Sequence, residues 1–295
     1  MIFKGAATAI VTPFDENLNI NYLKLKELID FQILNGIQAI VICGTTGESS
    51  TLTTSERKEV ISFCINTVNK RIPVIAGTGG NDTRYTIEMS KFAETAGADG
   101  VLVVTPYYNK CTQDGLYEHY TKIANEINIP IIMYNVPSRT GVNISVDTVV
   151  KLSKIENIIG IKEASSDLSQ IAEILSKVDD DFDVYSGNDD QILPILSLGG
   201  KGVISVLSNI LPKETQLLCQ SYFNNNTEKA KILQLKYLQL IKSLFIEVNP
   251  IPIKECMNIL GYNVGGTRLP LTKMTYEHRE TLKETLKEFA LGIAL

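Results

Sequence analysis

Short hydrophobic runs alternate with longer segments of helical periodicity from the N-terminus to about residue 225. The runs are rich in Val and Ile and contain few polar positions, as expected of parallel strands covered on both faces. We place the strand ends near eight residues: Val11, Cys43, Ala76, Val104, Tyr134, Lys162, Ser186 and Val206. Eight strands that are each followed by a helix predict an α/β fold of the (β/α)₈ type, a TIM barrel, and an open doubly wound sheet remains the alternative.

Two segments between the strands have clear helix signals. The first, residues 21–36, has a single apolar stripe made of Leu25, Leu28, Ile29 and Ile33. Gly36 then stands where a glycine C-terminal cap belongs. The second segment opens with Thr53 and Glu56 at capping-box spacing. Both segments are therefore predicted to be helices.

The β pattern stops after Val206, and residues 226–295 are predicted to be helical throughout. Two apolar rows repeat at helical spacing in this region, one made of Leu233, Tyr237, Leu240 and Leu244 and the other of Ile232, Leu235 and Ile241. Two apolar faces require burial against the barrel or against another subunit. We predict a catalytic barrel over 1–225 and a C-terminal helical domain over 226–295.

The composition of the 295 residues, 44% hydrophobic and 21% charged, is typical of a folded globular protein. No apolar run reaches the roughly 18 residues of a membrane span and no secretion signal is recognised, so we expect no membrane partner. The five cysteines are odd in number and never spaced as CxxC, which indicates neither disulfides nor a zinc site and fits a cytoplasmic location. With a net charge of −5 and no basic run, nucleic acid is not an expected partner.

The most informative position is Lys162, at the end of the apolar run 158–161. A charged side chain has no natural place in a strand buried on both faces. Lys162 shares a strand face with Gly160, whose missing side chain is predicted to leave room for it. A lysine in a partly desolvated pocket can present a neutral amine, which attacks a carbonyl to form a Schiff base. A strand-end lysine that reaches water is the alternative interpretation.

Other polar residues follow the predicted strands at the same end of the barrel, where the active sites of this fold lie. They belong to the segments GTTGES (44–49), TPYYN (105–109), YNVPSRTG (134–141) and SGNDD (186–190). Tyr134 and Lys162 end neighbouring strands about 4.8 Å apart, and strand alternation points both side chains inward. A phenol beside a Schiff-base lysine can move protons, the GTTG turn can bind a carboxylate, and Arg139 can bind a second one. The pattern indicates imine chemistry on a small keto acid.

Three other chemistries find little support in the sequence. The only histidines, His119 and His278, lie in predicted helices, which argues against a Ser-His-Asp or Cys-His system and against a metal-dependent aldolase. Asp189 and Asp190 are interpreted as part of a turn. The segment GTGGND after the third strand does not match the GxGxxG of a nucleotide site.

The segments GTTGES, TPYYN, YNVPSRTG and IKEAS, in that order and at these intervals, resemble the dihydrodipicolinate synthase family. This family belongs to the pyruvate-dependent class I aldolase superfamily, which includes N-acetylneuraminate lyase, and the resemblance covers essentially the whole chain. It implies a (β/α)₈ homotetramer built from dimers that condenses pyruvate with L-aspartate 4-semialdehyde. The product would be 4-hydroxytetrahydrodipicolinate, on the diaminopimelate route to lysine. The resemblance implies no cofactor, because pyruvate itself forms a covalent imine with the enzyme.

The resemblance also implies roles for individual residues. The catalytic set is Lys162 as the Schiff-base lysine, Tyr134 as the general acid/base, and Thr45 with Tyr108 as the rest of a proton relay. Tyr108 would reach in from a neighbouring subunit. The substrate-binding set is Thr46 for the pyruvate carboxylate, Arg139 for the semialdehyde carboxylate, and Gly187 with Ile204 as pocket lining.

Two alternatives to the synthase activity remain open on the sequence. A sister aldolase or lyase acting on N-acetylneuraminate or a 2-keto-3-deoxy sugar acid would use the same lysine and tyrosine with a different aldehyde pocket. Arg139 argues against it, since the neuraminate lyases are not expected to have arginine at that position. A barrel that binds a ligand without catalysis is the second alternative, and the complete set of proton-handling groups argues against that one.

Part of this family is inhibited by lysine, and this chain is expected to differ from those members. Lysine-inhibited members bind lysine in a cleft between subunits in which histidines and a glutamate take part. The matching positions here hold Thr54 and Arg57 in place of the histidines and Tyr85 in place of the glutamate, although Ser49, Asn81 and Tyr107 agree with the family. Because an ammonium group would lose its carboxylate partner and meet a like charge, we predict insensitivity to lysine.

Overall fold

The computed structural model describes residues 1–289, and its centre is a closed barrel of eight parallel strands. The strands are β1 (Gly5–Ala9), β2 (Ala39–Ile42), β3 (Val74–Gly77), β4 (Gly100–Val104), β5 (Ile131–Asn135), β6 (Ile158–Glu163), β7 (Asp183–Ser186) and β8 (Gly202–Ser205). Each strand pairs with the next, and β1 also pairs with β8, where Ala7 lies opposite Ile204. The predicted (β/α)₈ barrel is confirmed, and the open sheet is excluded.

The observed strand ends lie close to the predicted ones. Seven strands end within one residue of the expected position, and β1 ends at Ala9, two residues before Val11. The pairing of β1 fades gradually, since the Ile10 N–H still donates to the Val41 carbonyl at 3.2 Å. Strand ends are the positions that place side chains at the barrel mouth, so the polar segments after them are brought to one end of the molecule.

Within residues 1–289, nine helices accompany the barrel and four follow it. The first group is α1 (Tyr22–Leu34), α2 (Thr54–Val68), α3 (Thr83–Ala96), α4 (Gln113–Ala124), α5 (Pro137–Thr140), α6 (Val146–Leu152), α7 (Leu168–Lys177), α8 (Ile192–Ser197) and α9 (Pro212–Phe223). The second group is α10 (Thr227–Lys236), α11 (Leu238–Ser243), α12 (Ile251–Ile259) and α13 (Tyr276–Glu288). Both helix signals are confirmed: Thr53 and Glu56 form a capping box on α2, and Gly36 adopts a left-handed φ of 81° just after α1.

The core has two layers, because successive strand residues point to opposite faces. One layer fills the space between strands and helices, and the other lies inside the barrel. The inner layer includes Val41, Ile75, Ile132, Tyr185 and Ile204, all fully buried. It forms a packed floor beneath the mouth of the barrel, so a ligand can enter only from the end at which the strands finish.

The C-terminal region differs from the prediction in one respect. The expectation that residues 226–295 are helical throughout is wrong, because residues 244–250 separate α11 from α12, and residues 260–275 form an irregular loop between α12 and α13. Gly261, Gly265, Gly266 and Pro270 interrupt the helical pattern there. Residues 290–295 of the predicted domain lie outside the described part. The predicted boundary at residue 225 falls between α9 and α10, and the division into two domains stays a prediction.

The two apolar rows of this region meet different surroundings. Tyr237, Leu240, Ile241 and Leu244 are buried, whereas Ile232 and Leu235 are 55% and 61% exposed. Two members of the second row, Ile232 and Leu235, are therefore not covered by the described part of their own chain, whereas the third, Ile241, is buried.

The described chain offers no membrane span and no metal site. None of the helices between residues 1 and 289 combines the length and the apolarity needed to cross a bilayer. Over the same residues, no three His, Cys, Asp or Glu side chains are grouped so that they could hold a metal ion. All five cysteines are free thiols, and four of them are buried.

Candidate active site

Lys162 and Tyr134 lie side by side at the mouth of the barrel. They are directly opposite each other in the register of β5 and β6, and both side chains point inward, as strand alternation predicted. The Lys162 Nζ lies 4.2 Å from the centroid of the Tyr134 ring. Lys162 is only 6% exposed and Tyr134 only 7%. The geometry therefore holds an amine beside a phenol in a largely desolvated place.

The space around Lys162 comes from a different glycine than the sequence suggested. A Cβ at Gly160 would lie 2.4 Å from the carbonyl oxygen of Asp183, so this glycine permits the close approach of β7. The expectation that Gly160 makes room for the lysine is wrong. At Gly187 a Cβ would come within 3.1 Å of the Lys162 Cε, and it would also clash with Ala164 at 2.6 Å. The missing side chain of Gly187 leaves the path of Lys162 open.

A buried carboxylate orders the loop on the far side of Lys162. Asp189 is 2% exposed and begins a short 3₁₀ turn, which agrees with its interpretation as a turn residue. Its Oδ2 accepts hydrogen bonds from the backbone N–H groups of Val206 and Leu207, both at 2.9 Å. Burial raises the pKa of Asp189, and these hydrogen bonds oppose the shift. Asp189 thereby fixes the end of β8, which carries Ile204.

A second buried carboxylate locks together the two strand ends that carry the amine and the phenol. Glu163 follows Lys162 and is fully buried on the outer face of β6. The Asn135 Nδ2, one residue after Tyr134, lies 3.1 Å from both oxygens of the Glu163 side chain. Desolvation raises the pKa of Glu163, while the Asn135 hydrogen bond opposes the rise. This pair was not predicted from the sequence, although polar residues adjacent to both Tyr134 and Lys162 were a usable signal.

The predicted carboxylate-binding residues meet at one asparagine from the C-terminal region. Thr46 is 2% exposed, and its Oγ1 accepts a hydrogen bond from the Asn249 Nδ2 at 3.0 Å. Arg139 is exposed on α5, and its Nη2 donates to the Asn249 carbonyl at 3.2 Å. Arg139 and Thr45 both line a cavity of about 210 Å³. Asn249 itself was not identified from the sequence, because no local pattern distinguishes it.

Tyr108 is not brought to Lys162 within the chain. Its side chain is 90% exposed, and its backbone has a φ of 73°, in the left-handed region that non-glycine residues rarely adopt. Its neighbour Tyr107 is 39% exposed and lines the same cavity as Thr45. The structure thus brings Lys162, Tyr134 and Gly187 together, places Thr45 and Arg139 in one cavity, and joins Thr46 to Arg139 through Asn249. Ile204 belongs to the inner layer of the barrel, and Tyr108 points away.

The three residues that depart from the family pattern form a single cluster. The Tyr85 hydroxyl lies 3.3 Å from the Thr54 Oγ1 and 3.3 Å from the Arg57 Nη1. The Arg57 Nη2 donates to the Gly77 carbonyl at 2.8 Å, and the side chain is only 6% exposed. Arg57 also lines the 210 Å³ cavity that includes Thr45 and Arg139.

Comparison with known proteins gives a consistent assignment. The model of the Dihydrodipicolinate synthetase family matches residues 2–289. The 4-hydroxy-tetrahydrodipicolinate synthase of Acetivibrio thermocellus is 57% identical over 290 residues, which cover 98% of both chains. The crystal structure of dihydrodipicolinate synthase from Aquifex aeolicus matches with a TM-score of 0.97 and 46% identity, covering 99% of this chain and 100% of that one. A chloride-inhibited dihydrodipicolinate synthase from Acinetobacter baumannii, solved in complex with pyruvate, matches with a TM-score of 0.97 and 43% identity, covering 99% and 100%.

Proposed function

The chain belongs to the dihydrodipicolinate synthetase family, and from this premise we propose that the Lys162 and Tyr134 pair carries out its chemistry. The activity is that of a 4-hydroxy-tetrahydrodipicolinate synthase, a carbon–oxygen lyase (EC 4.3.3.7) that condenses pyruvate with L-aspartate 4-semialdehyde. It serves the diaminopimelate route to lysine and works without an external cofactor, through a Schiff base between pyruvate and a lysine.

The observation that carries the assignment of Lys162 is its burial without a direct ion pair. None of the ion pairs in residues 1–289 includes Lys162, its Nζ lies over the Tyr134 ring, and the buried Asp189 carboxylate acts on it only through a longer-range electrostatic interaction. In the proposed mechanism the Lys162 Nζ attacks the keto carbon of pyruvate, and loss of water from the carbinolamine leaves the imine. Removal of a proton from the methyl carbon then gives an enamine, whose carbon attacks the aldehyde of the second substrate.

Tyr134 is proposed to move the protons in these steps. Its position opposite Lys162 supports the role, because a general acid/base must lie within reach of the reacting atoms. Thr45, which lines the 210 Å³ cavity, is the second member of the proposed relay, and Tyr108 is the third. Without them, each proton would have to be exchanged with water in a mostly closed site.

The substrate carboxylates are proposed to bind at two separate places. Thr46 and the backbone N–H groups of its turn receive the pyruvate carboxylate, and Arg139 receives the carboxylate of the semialdehyde. The Asn249 contacts to both residues support this division, because they fix the distance between the two groups. Gly187 and Ile204 are proposed to line the pocket, where Gly187 leaves the space and Ile204 belongs to the apolar floor.

We further propose a homotetramer built from dimers, in which Tyr108 enters the site of a neighbouring subunit. The 90% exposure of Tyr108 and its left-handed backbone support this proposal, because such a conformation persists where the surroundings require it. A cytoplasmic location is proposed as well, and the five free thiols support it.

A substrate comparison tests the function. Purified chain should consume aspartate semialdehyde only when pyruvate is present. Cleavage of N-acetylneuraminate or of 2-keto-3-deoxygluconate should be undetectable at the same enzyme concentration. Faster turnover of either sugar acid would assign the barrel to a sister lyase, and no turnover of any substrate would favour a binding protein.

A further inference from the structure

Glu48 is a buried carboxylate inside the turn that carries Thr45 and Thr46. Its side chain is fully buried, and its backbone has a φ of 54°, which is left-handed for a residue with a side chain. The Glu48 N–H donates to the Thr45 carbonyl at 3.1 Å, so the position of Glu48 sets the shape of the turn. A conformation of this kind is maintained only where surrounding contacts determine it.

The contacts that hold Glu48 come from the C-terminal helical region. The Lys254 Nζ, on α12, donates to the Glu48 Oε1 at 2.8 Å and to the Thr12 carbonyl at 3.0 Å. It also lies 4.2 Å from the centroid of the Phe14 ring. Burial lowers the pKa of Lys254 to about 8, and the Glu48 carboxylate opposes that shift. The ammonium ion is therefore maintained by its partner in the turn.

Two further residues of the same region, Arg268 and Asn249, contact the turn or the residues just after it. The other oxygen of Glu48 accepts the Arg268 N–H at 3.0 Å, and the Arg268 Nη1 donates to the Thr51 carbonyl at 3.1 Å. Asn249 donates to the Thr46 hydroxyl, as described above. The turn is thus held by three residues that lie within 20 positions of one another in the sequence.

Stability alone does not account for a charge pair at this place. Desolvation of two ions costs as much as their attraction returns, and apolar pairs of similar volume are often at least as stable. A carboxylate with two directed donors does fix orientation, which an apolar pair does not. Directed bonding is useful where a backbone must be held in a strained shape next to a ligand site.

We propose that Glu48 and Lys254 are positioning residues, through which the C-terminal helical region holds the 44–49 turn in the shape that binds the pyruvate carboxylate. This inference rests on the proposed role of Thr46. Glu48 and Lys254 touch no substrate, and they act by keeping the Thr46 hydroxyl and the turn N–H groups aimed at one point.

The test uses the double variant Glu48→Gln/Lys254→Met, which removes both charges and leaves no ion buried without a partner. The KM for pyruvate should rise about tenfold or more, while the KM for the semialdehyde and the melting temperature change little. A matched control is Glu255→Gln/Arg279→Met, which removes a half-exposed ion pair between α12 and α13. The control should leave both KM values unchanged.

Two outcomes overturn the inference. One is a wild-type KM for pyruvate in the double variant. The other is a parallel loss of kcat, of both affinities and of melting temperature, which indicates general support of the fold. The single variant Lys254→Arg keeps the charge and should recover most of the pyruvate affinity. Failure of the proposed function can be distinguished from failure of this inference, because in that case the unsubstituted chain itself shows no turnover.

Discussion

Two lysines are buried in the described structure, and a comparison of their surroundings separates chemistry from architecture. Lys162 and Lys254 are 6% and 1% exposed, and each Nζ lies 4.2 Å from the centroid of an aromatic ring. Lys254 forms a short ion pair with Glu48 and donates to a carbonyl. Lys162 forms no ion pair within residues 1–289. The same residue type in the same degree of burial is therefore partnered in one place and unpartnered in the other.

The difference shows what each lysine can do. Conversion of Lys254 to an imine would break two hydrogen bonds and leave a carboxylate buried without its counter-ion, which is strongly unfavourable. Lys162 gives up no such partners when it bonds to a keto acid. A missing partner at a buried lysine is thus the signature of the reactive site, and a complete set of partners is the signature of a structural one.

The largest expected effect comes from replacing each lysine by methionine. Lys162→Met should lower turnover by at least about 10⁴-fold and abolish borohydride trapping of pyruvate, with little change in stability. In the Lys254→Met variant, borohydride should still trap saturating pyruvate on Lys162. This variant should, however, lose about 3–5 kcal/mol of unfolding free energy, because Glu48 is left unpaired. Peptide mass analysis and thermal unfolding measure the two effects. An adduct on Lys254 in the unsubstituted chain would refute the comparison.

The second-largest effect is expected at Tyr108, which is proposed to complete the site around Lys162 from a neighbouring subunit. Tyr108→Phe should lower turnover by about 100-fold or more, because a proton-relay hydroxyl is lost. Mixing this variant with Lys162→Ala under subunit exchange should restore activity, since hybrid dimers contain one intact site. Random pairing predicts about a quarter of the unsubstituted activity. Verified hybrids without recovery would mean that the tyrosine serves its own chain.

A smaller effect is expected at the rim of the same site. Arg139→Ala should raise the KM for the semialdehyde by about 10- to 150-fold, which corresponds to a lost charge-assisted hydrogen bond of about 1.5–3 kcal/mol. The KM for pyruvate should change far less. Arg139→Lys serves as the matched control, because it keeps the charge and loses only the planar fork. Equal changes for both substrates would instead indicate a structural role.

The smallest effect is predicted for added lysine. L-lysine should not inhibit at about 1 mM, because the positions that the resemblance assigns to the lysine site hold the Arg57 guanidinium and the Tyr85 hydroxyl, 3.3 Å apart, where a cation requires a carboxylate. A steady-state titration measures this directly. Clear inhibition below that concentration would show that another acidic group completes the cleft. Arg57→His would then be the informative variant, since it restores the residue type expected in inhibited relatives.

Features that repeat along the chain could be predicted from the sequence. Tyr134 and Lys162 were placed side by side because neighbouring parallel strands have a regular spacing and alternate their faces, and the register confirms it. The prediction for Gly160 failed because it considered only one strand, whereas the atom that excludes a side chain there belongs to β7. Strand spacing and alternation predict which side chains face each other, but they do not predict which backbone atoms of the next strand approach a given position.

Contacts between distant segments could not be predicted at all. Lys254 stands in the apolar segment IPIKECM, and a lone lysine there was a signal that it is buried. Its partner could not be identified, because Glu48 lies 206 positions away and carries no pattern of its own. Asn249 is 203 positions from Thr46. Tyr108 poses the same problem between chains, since its proposed partner belongs to another copy.

The wide separation between Glu48 and Lys254 also sets an order of events during synthesis. A growing chain that has completed all eight strands already contains Lys162, Tyr134 and the threonines of the turn. It still lacks Asn249, Lys254 and Arg268, which leave the ribosome after the barrel strands. On the proposed arrangement, the carboxylate site is finished only after residue 268 has been synthesised. A chain whose translation stops before residue 249 would then bind pyruvate poorly, even though it contains both Lys162 and Tyr134.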